Sequence, residues 1–270
     1  MFYNTITGDV EDSNNSFSFE SVPDSKVLIV APHGGEYVPP CAFPFLDYTH
    51  QLFPLEIDQA SNEIYRANGY SFAGTSIHRH VINLNKRKYK LEEFNVFRDV
   101  GFDGSPLYLE DMPDSISERL VNLYYNPFLN FVKSELFRIR ERFDDAFLLN
   151  AHTMESKIPE VNKFLEHRKR PDFCLGTNNM HSIDYNLLTE FHSSLESHAR
   201  DYFGSDVSIA IDRPFVGRVG LTRSFGCPNE NLNALLLEIN QGLYFSENGS
   251  DSEVVSALNS IVQNTLDDIF

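Results

Sequence analysis

The sequence predicts an α/β fold in which helices cover both faces of a mostly parallel or mixed central sheet. Short apolar runs typical of buried strands alternate along the 270 residues with segments of helical periodicity. A hydrophobic content of 41% allows a sizeable core without disulfides. No internal repeat, low-complexity tract or linker interrupts the alternation, which favours one domain over residues 1–270.

The amino-terminal part is predicted to contain the first strand and the first helix. Residues 1–25 are rich in Ser, Asn, Asp and Glu, which indicates an irregular or edge-strand lead-in. The apolar run 26–32 predicts a buried strand, and the Gly- and Pro-rich stretch 34–40 predicts a loop. Over 56–68, apolar residues recur at spacings of three and four, which predicts a helix that ends at Gly69.

The central part is predicted to contain two short strands, a long loop and a long helix. The strands are expected at about 71–77 and 79–84. The Gly, Pro and Asp content of 98–114 is typical of a loop. Ser115 and Glu118 have the spacing of a capping box, which predicts the start of an amphipathic helix that runs to about residue 143. We expect this helix to be broken or kinked before Pro127.

The carboxyl-terminal half continues the alternation of strands and helices. Residues 155–171 are charged and are predicted to form a loop. The other predicted elements are strands at 146–151, 172–176, near 207–212 and at 234–239, and helices at about 184–203 and 252–268. This order is typical of a sheet with helices on both faces.

The net charge of −17 limits the possible partners. A surface this acidic repels nucleic-acid phosphates and anionic lipid, so we expect neither nucleic-acid nor membrane partners. Three scattered cysteines without a CxxC spacing fit a reducing compartment. The first residues lack the pattern of a signal peptide, and no apolar stretch approaches the ~20 residues of a membrane span. The sequence therefore predicts a cytoplasmic protein, and no pattern in it indicates an oligomeric state.

Two histidines each follow an apolar run that is predicted to be a buried strand. His33 follows the run 26–32, and His152 follows the run 146–151. Open α/β sheets build their ligand sites at the carboxyl ends of their strands, so the two imidazoles are expected to lie close together. We interpret the pair as ligands of one shared metal ion, although a single histidine at the end of a strand is often structural.

A third ligand would complete the set typical of catalytic zinc, in which water takes the fourth position. Glu36 lies three residues after His33, and the intervening glycines allow a tight turn. Asp58 is the other candidate, although an Asp in a first helical turn is equally typical of a residue that stabilises the helix dipole. These residues leave the choice between Glu36 and Asp58 open.

Glu238 lies at the end of the apolar run 234–239. A carboxylate is costly to bury there unless a partner or a chemical task stabilises it. Beside a metal-activated water it would be a general base with a shifted pKa. A structural ion pair is the alternative.

Basic residues near this centre would bind a substrate carboxylate. The candidates are Arg79, Lys86, Arg87, Arg213, Arg218 and Arg223. His78 and His80 flank Arg79 in a strand-like alternation, and we interpret both as structural.

A metal-independent hydrolase is a rival hypothesis. Cys174 could form a thiol nucleophile with a His and an Asp, but no neighbour in the sequence activates it. The chain contains no G-x-S-x-G elbow, GxGxxG loop or Walker-type loop, which argues against serine-hydrolase and nucleotide-dependent functions.

The motifs around these residues resemble the N-formylglutamate amidohydrolase family, over roughly residues 27–245. Each match is weak alone, but the ordered set is specific. It comprises PHGG at 32–35, Asp58 with Ile64 and Tyr65, INLNK at 82–86, FDGSPLY at 102–108, NAHTM at 150–154, PDFCLGTN at 171–178, FVGRVGLTRSFGCP at 215–228 and LLLEINQGLY at 235–244.

The resemblance implies a zinc-dependent amidohydrolase with a three-layer α/β/α sandwich, of the phosphorylase/hydrolase-like type that zinc carboxypeptidases and aspartoacylase share. The family position that matches Asp58 is regularly acidic, whereas the one that matches Glu36 is not. One Zn²⁺ ion held by His33, Asp58 and His152 is therefore favoured. Glu36 stays as the alternative, because related carboxypeptidase-like enzymes use H-x-x-E.

The implied reaction is hydrolysis of the amide of an N-formyl or N-acyl amino acid, a small molecule with a carboxylate. Glu238 would be the base, and Arg79 and Arg223 would stabilise the oxyanion or hold the carboxylate. The other substrate-binding candidates are Asn85, Lys86, Thr177 and Arg218. A regulatory or binding protein that keeps the fold without turnover is the rival reading.

Three departures from the family pattern touch the region expected to bind the carboxylate. The family's V-D-L-N-R has Asn83 and Lys86 in place of its Asp and Arg, and a family glycine is Arg218 here. A lysine does not reproduce the bidentate geometry of arginine. The departures therefore bear on specificity and on whether turnover is retained.

Overall fold

The computed structural model describes residues 16–47, 56–86, 96–156 and 169–270. Nine strands are found in this part of the chain, at Phe17–Glu20 (β1), Val27–Ala31 (β2), Ser71–Thr75 (β3), Ala146–Met154 (β4), Phe173–Gly176 (β5), Ile209–Ile211 (β6), Leu232–Asn240 (β7), Phe245–Ser246 (β8) and Gly249–Ser250 (β9). The α-helices are Ser61–Ile64 (α1), Asp114–Leu120 (α2), Asn126–Phe143 (α3), Tyr185–Phe203 (α4), Gly220–Phe225 (α5) and Ser252–Asp267 (α6).

Seven strands form one mixed sheet, in the order β1-β3-β2-β4-β7-β5-β6. The four central strands, from β3 to β7, are parallel to one another. β1 is antiparallel to β3 at one edge, and β5 is antiparallel to β7 towards the other. The prediction of a mostly parallel or mixed sheet in an α/β fold is confirmed.

Helices cover both faces of this sheet. In β2, Val27 and Ile29 face a core that includes residues of α1, α4 and α6, whereas Leu28 and Val30 face a second core against α2 and α3. All five residues of β2 and all nine of β4 are buried, as expected for strands covered on both faces.

The helix predicted over 56–68 is wrong in length. Only α1, four residues long, is helical, and Ala60 before it has a left-handed backbone with φ 54°. The side chain of Asn259 in α6 donates to the backbone carbonyls of Glu63 and Ile64. The apolar spacing instead reflects an irregular segment packed on the core, with buried Ile57, Ile64 and Ala67.

The strand predicted at 79–84 is also wrong, because the chain leaves the sheet after β3 and turns. The amides of Val81 and Ile82 both donate to the carbonyl of His78, at 2.9 and 3.4 Å. This turn directs Arg79 and Asn83 towards the carboxyl ends of β2 and β4, so it forms part of the cavity described below.

The predicted long helix is present, but it starts differently. α2 begins at Asp114 after Pro113, and no side chain caps it, so the capping box at Ser115 and Glu118 does not form. A π-helical stretch, Val121–Tyr125, joins α2 to α3 immediately before Pro127. The predicted irregularity before Pro127 therefore takes the form of a π-helical turn.

Some predictions fall where the structure gives no description. Residues 1–15 of the predicted lead-in lie outside the described residues, as do 157–168 of the predicted charged loop and the candidate Arg87. Within the described ranges, none of the helices is both long enough and apolar enough to span a membrane.

Candidate metal centre and active site

Three buried side chains meet at the carboxyl ends of β2 and β4. His33 lies two residues beyond β2, and His152 lies near the end of the adjacent parallel strand β4. Their ring centroids are 4.7 Å apart. Asp58 comes from the irregular segment before α1, whose position is fixed by a hydrogen bond of 3.0 Å from the amide of Asp58 to the carbonyl of His33.

The donor atoms of these three residues could hold one metal ion. Asp58 Oδ2 lies 2.8 Å from His152 Nδ1 and 3.8 Å from His33 Nδ1, and a donor atom from each residue lies within 4.8 Å of the others. His33 Nδ1 is buried and has no hydrogen-bond partner. A buried polar atom without a partner is costly, and a cation would satisfy it. Two imidazole nitrogens and a carboxylate oxygen are also a donor set typical of zinc, so the residues fit a bound ion.

Asparagine side chains hold the far side of each imidazole. His33 Nε2 lies 2.8 Å from Asn83 Oδ1, and His152 Nε2 lies 3.2 Å from Asn150 Oδ1. For His33, donation of the Nε2–H to Asn83 leaves an unprotonated Nδ1 towards the centre, as metal ligation requires. For His152, the side-chain NH₂ of Asn85 lies closer to Nε2, at 3.0 Å, and Nδ1 lies 2.8 Å from Asp58 Oδ2, which fits an Nδ1–H donated to Asp58 that a bound cation would displace. The sequence analysis did not find Asn150 in this role, although its position two residues before His152 on a buried strand was a usable signal.

The charges at the centre favour an ionised aspartate and a neutral histidine. Burial raises the pKa of Asp58, but the hydrogen bond and charge of His152, with smaller effects of His33 and Arg79, outweigh burial and bring it to about 2. Burial and the charge of Arg79 hold the pKa of His33 well below its usual value. Both groups are thus in the form that binds a cation.

Glu238 lies beside His152, because the two residues are paired in the register of β4 and β7. Its side chain is buried, and no hydrogen bond or ion pair from the described residues reaches its carboxylate. Burial raises the pKa of Glu238 to about 7, although the nearby charge of His152 opposes that shift. The alternative interpretation of Glu238, a structural ion pair, is therefore not formed within the described chain.

These residues open into a cavity of about 570 Å³. Among the described residues that line it, five are basic and three are acidic, although the whole chain carries a net charge of −17. The basic residues are Arg79, Lys86, Arg98, Arg170 and Arg218, and the acidic ones are Asp58, Glu155 and Glu238. The cavity is therefore a local region of positive charge that could receive an anion.

Four of the expected substrate-binding residues line this cavity, namely Arg79, Asn85, Lys86 and Arg218. Arg79 Nη1 lies 3.0 Å from Asp58 Oδ1, which places its guanidinium next to the metal-binding centre. The side-chain amide of Asn85 lies 3.0 Å from His152 Nε2, and its Oδ1 accepts from the amide of Leu221. Asn85 thus joins the centre to α5.

Three other expected residues lie elsewhere. The side chain of Glu36 is exposed and lies outside both the cavity lining and the three-ligand group. The hydroxyl of Thr177 is buried and donates to Asp212 Oδ2 at 2.7 Å, so it holds a loop and does not face the cavity. Arg223 is exposed, and its Nη1 lies 3.4 Å from the carbonyl of Arg218. The structure therefore does not bring these three residues to the metal-binding group or to the cavity lining, contrary to the sequence-based expectation.

The reason that Glu36 is not delivered to the centre lies in the glycines before it. A Cβ on Gly35 would lie 2.1 Å from the backbone of Ser76, so this residue is in close contact with the chain after β3. The amide of Tyr37 then donates to the carbonyl of Ser76 at 2.7 Å. The glycines allow that close approach, and the backbone after His33 follows the edge of the sheet instead of turning back.

The sequence analysis missed three charged residues that line the cavity, Arg98, Glu155 and Arg170. Each lies at an edge of a segment predicted only as a loop, where no periodicity orients a side chain. Burial raises the pKa of Glu155 to about 7, and Glu56 adds to the shift. Burial also lowers the pKa of Arg170, whose guanidinium stacks on Phe215 at 5.1 Å.

Cys174 and the two histidines beside Arg79 have structural environments. The thiol of Cys174 is buried and donates to the carbonyl of Phe215 at 3.4 Å. Burial raises the pKa of this thiol to about 12, which opposes formation of a nucleophilic thiolate. His80 Nε2 lies 2.6 Å from buried Glu56 Oε2, and His78 packs against the ring of His80.

The chain is similar to known proteins over most of its length. The family model described as N-formylglutamate amidohydrolase matches residues 25–245. A protein of Pseudomonas aeruginosa named N-formylglutamate deformylase is 28% identical over 74% of this chain and 75% of its own length. A protein of Pseudomonas putida with the same name is 32% identical over 66% of each chain.

The fold is shared with a solved structure. The crystal structure of N-formylglutamate amidohydrolase from Ralstonia eutropha JMP134 superposes with a TM-score of 0.79, covering 94% of this chain and 98% of that one. The two sequences are 18% identical.

Proposed function

The chain belongs to the N-formylglutamate amidohydrolase family, and on that premise we propose that it is a zinc-dependent hydrolase that cleaves the amide bond of N-formylglutamate, with release of formate, or of a similar N-acyl amino acid, with release of the corresponding carboxylate. The observation that carries the proposal is the arrangement of His33, Asp58 and His152 beside Glu238, within a cavity of locally positive charge. The match of the family over residues 25–245 and the names of the two Pseudomonas relatives support the same activity.

In this proposal, His33 Nδ1, His152 Nδ1 and a carboxylate oxygen of Asp58 hold the ion. Zinc bound there would polarise the scissile carbonyl and make a water molecule acidic enough to attack it near neutral pH. Asn83 and Asn150 keep the imidazoles oriented, and Arg79 restrains the other oxygen of Asp58. The ligand side chains are thus fixed before substrate enters.

Glu238 is the proposed general base. Its carboxylate takes the proton of the attacking water as the water oxygen bonds to the formyl carbon. When the C–N bond breaks, the same proton is delivered to the departing nitrogen, and the products are formate and the free amino acid. A raised pKa suits both steps, because the group must accept the proton and then release it.

Arg79 is the proposed electrostatic partner of the substrate at the reacting end of the cavity. Its Nη1 donates to Asp58 Oδ1, and its guanidinium lines the cavity beside the centre. A fixed positive group at that position stabilises negative charge that develops on the carbonyl oxygen or lies on the adjacent α-carboxylate.

The charge of the cavity supports an acidic amino acid as the leaving part of the substrate. Five basic residues face three carboxylates there, and a divalent ion would add further positive charge. Of the three carboxylates, Glu155 and Glu238 have pKa values raised to about 7, so the excess of positive charge is larger in mildly acidic solution. A substrate with two carboxylates complements such a cavity better than a neutral one.

The test is a direct assay of formate release. The purified full chain is stripped of metal with a chelator, reloaded with one equivalent of Zn²⁺, and assayed with N-formyl-L-glutamate. We expect activity that depends on zinc and follows its occupancy up to one ion per chain. Alkylation of the cysteines should leave the activity intact, because Cys174 is buried and protonated.

Two results would contradict the proposal. Stoichiometric zinc without hydrolysis of any N-formyl or N-acyl amino acid would favour a binding protein on the same fold. Activity that survives chelation but is lost on alkylation would indicate a thiol mechanism.

A further inference from the structure

Two guanidinium groups lie over one aromatic ring that lines the cavity, and a lysine lines the same cavity. The guanidinium of Arg98 stacks on Phe102 at 4.4 Å from the ring centroid, and that of Arg79 lies 5.2 Å from the same centroid. Lys86 lines the same cavity, and its pKa is lowered by burial and then by the charges of Arg98 and Arg79. The three cations are therefore close enough to repel one another.

The cations differ in whether a carboxylate neutralises them. Arg79 is paired with Asp58. For Arg98 and Lys86, no carboxylate in the described ranges lies within salt-bridge distance. Glu56, the carboxylate whose charge acts most on Arg98, is engaged by His80 and by the amide of Phe102. The charge of Asp99 acts on Lys86, but Asp99 is exposed to solvent. Arg98 and Lys86 thus carry half-buried positive charge that faces the cavity.

Such a pair is unfavourable in the free protein. Burial and the charge of Arg79 lower the pKa of Arg98 to about 10. An anion bound beside these cations would offset their mutual repulsion, so the arrangement favours binding of a negatively charged group.

The backbone of Phe102, whose ring Arg98 contacts, is fixed by a buried carboxylate. The amide of Phe102 donates to Glu56 Oε1 at 2.6 Å, and the other oxygen of Glu56 lies 2.6 Å from His80 Nε2. Glu56 and His80 are both buried. The donors of a guanidinium are coplanar, and stacking on the ring fixes the orientation of that plane. A fixed plane of donors favours bidentate binding of a carboxylate.

We propose that Arg98, seated on Phe102, is the residue that selects an acidic side chain, by binding the carboxylate farthest from the scissile amide. This inference rests on the proposed function and names the part of the same cavity that recognises the substrate. Arg79 is occupied by Asp58 at the reacting end, whereas Arg98 stacks on Phe102 and pairs with no carboxylate of the described residues. Lys86 contributes a second positive charge beside it.

Arg98 also accounts for one departure from the family pattern. Position 86 is a lysine here, and a lysine supplies charge without a planar pair of donors. Arg98 supplies that planar pair from another segment, 12 positions along the chain.

The experiment compares two substrates that differ only in the charge of the side chain, N-formyl-L-glutamate and N-formyl-L-glutamine. Zinc-loaded wild-type protein and the variants Arg98→Gln, Arg98→Lys and Arg200→Gln are assayed with both. Arg200 is the matched control, since it pairs with Glu196 on the outer surface of α4. Zinc stoichiometry and thermal melting of each variant show whether the fold and the metal centre are intact.

We expect Arg98→Gln to lower kcat/KM for N-formyl-L-glutamate by about 10- to 100-fold, mainly through KM, because a charged hydrogen-bonded contact is lost. The value for N-formyl-L-glutamine should change by less than about threefold, so the preference for the acidic substrate collapses. Arg98→Lys should keep part of the preference, and Arg200→Gln should keep all of it.

Three outcomes overturn the inference, and they are distinguishable. If wild-type protein hydrolyses N-formyl-L-glutamate and Arg98→Gln keeps the full preference, Arg98 is not the selecting residue and the proposed function stands. An equal loss for both substrates would likewise show that Arg98 acts on the fold or the centre. If zinc-loaded wild-type protein hydrolyses neither substrate, the proposed function itself fails, and the role of Arg98 fails with it.

Discussion

His152 and Glu238 are register partners across the parallel strands β4 and β7, so the two side chains lie next to each other on the same face of the sheet. The pairing places a buried carboxylate directly beside a residue of the three-ligand group. Because side chains alternate between the faces of a strand, a shift by one residue would move Glu238 to the opposite face. The backbone register thus sets the geometry between the ligand and the proposed base.

The first prediction concerns that base. Replacing Glu238 with Gln keeps the size of the side chain and removes its ability to accept a proton. We expect kcat to fall by about 10²- to 10⁴-fold, the usual range for a general base. Zinc binding should be unchanged, because Glu238 lies outside the three-ligand group.

Formate release and zinc content, measured on the same preparation, check this outcome. Glu253→Gln, on the exposed first turn of α6, is the matched control. A Glu238→Gln enzyme with full activity would remove Glu238 from the mechanism.

The pH profile should report the same carboxylate. Burial raises the pKa of Glu238 to about 7 in the metal-free protein, and a bound cation would lower it. The base acts as the carboxylate, so kcat/KM should rise with pH to a plateau, with a midpoint at or below about 7. We expect this acidic limb to be lost in the residual activity of Glu238→Gln. An identical limb in both proteins would assign the titration to another group.

The histidine pair should control metal affinity. Replacing His33 or His152 with Ala removes one of three donors, and zinc binding followed by titration should weaken by at least about 100-fold. His198→Ala is the control, because His198 pairs with Asp268 on the surface. Unchanged zinc affinity in both His33→Ala and His152→Ala would exclude this centre as the zinc site.

Tyr65 contacts the backbones of both β4 and β7 next to His152 and Glu238. Its buried hydroxyl donates a bifurcated hydrogen bond to the carbonyls of His152 and Leu237, at 2.8 and 2.9 Å. Tyr65→Phe should lower the free energy of unfolding by about 1–2 kcal/mol, because buried acceptors lose their donor. Chemical denaturation measures this change, and an unaltered midpoint would show that water replaces the hydroxyl.

Glu135 should make stability depend on acid pH. Burial raises the pKa of this carboxylate, but hydrogen bonds from Arg138, Ser71 and Ser21 outweigh burial and lower it below the usual 4.5. A lowered pKa in the folded state means that the stabilisation is complete above about 4.5 and is lost as the pH falls through the folded value.

The measurement compares the free energy of unfolding of wild type and Glu135→Gln between pH 7 and pH 3. The variant should be less stable near neutrality, by about 2 kcal/mol, and the difference should shrink at low pH. Glu141→Gln on the exposed side of α3 should show neither effect. A constant difference across this range would mean that Glu135 acts by packing alone.

Much of the fold follows from local pattern. The predicted strands at 146–151 and 234–239 are mostly apolar and lie within the longer strands β4 and β7, and their burial explains why the pattern identified them. The predicted helix at 184–203 is also regular, and its side chains cover one face of the sheet. Such elements are recognisable because burial acts on each of them separately.

The irregular segments were not predictable in the same way. The chain around Ile64 and Ala67 has helical spacing, but these residues are buried in the core that α6 and one face of the sheet share. The alternating pattern over 79–84 predicts a strand, but the chain turns there, and Arg79 and Asn83 line the cavity. The spacing of apolar residues in the sequence does not predict these contacts with distant segments.

By itself, the sequence determined that His33, His152 and Glu238 end up at one edge of the sheet, because strands that are parallel present their carboxyl ends together. The family resemblance favoured Asp58, but only the tertiary structure brought its carboxylate to within 2.8 Å of His152 Nδ1, while Gly35 packs on Ser76 and leaves Glu36 exposed. Tertiary structure alone also placed Arg98 over Phe102 in the cavity and left Arg223 on the surface. The physical reason is that a buried strand is recognisable from the apolar residues next to one another in the sequence. The direction of a loop side chain depends instead on the distant segments that pack around it.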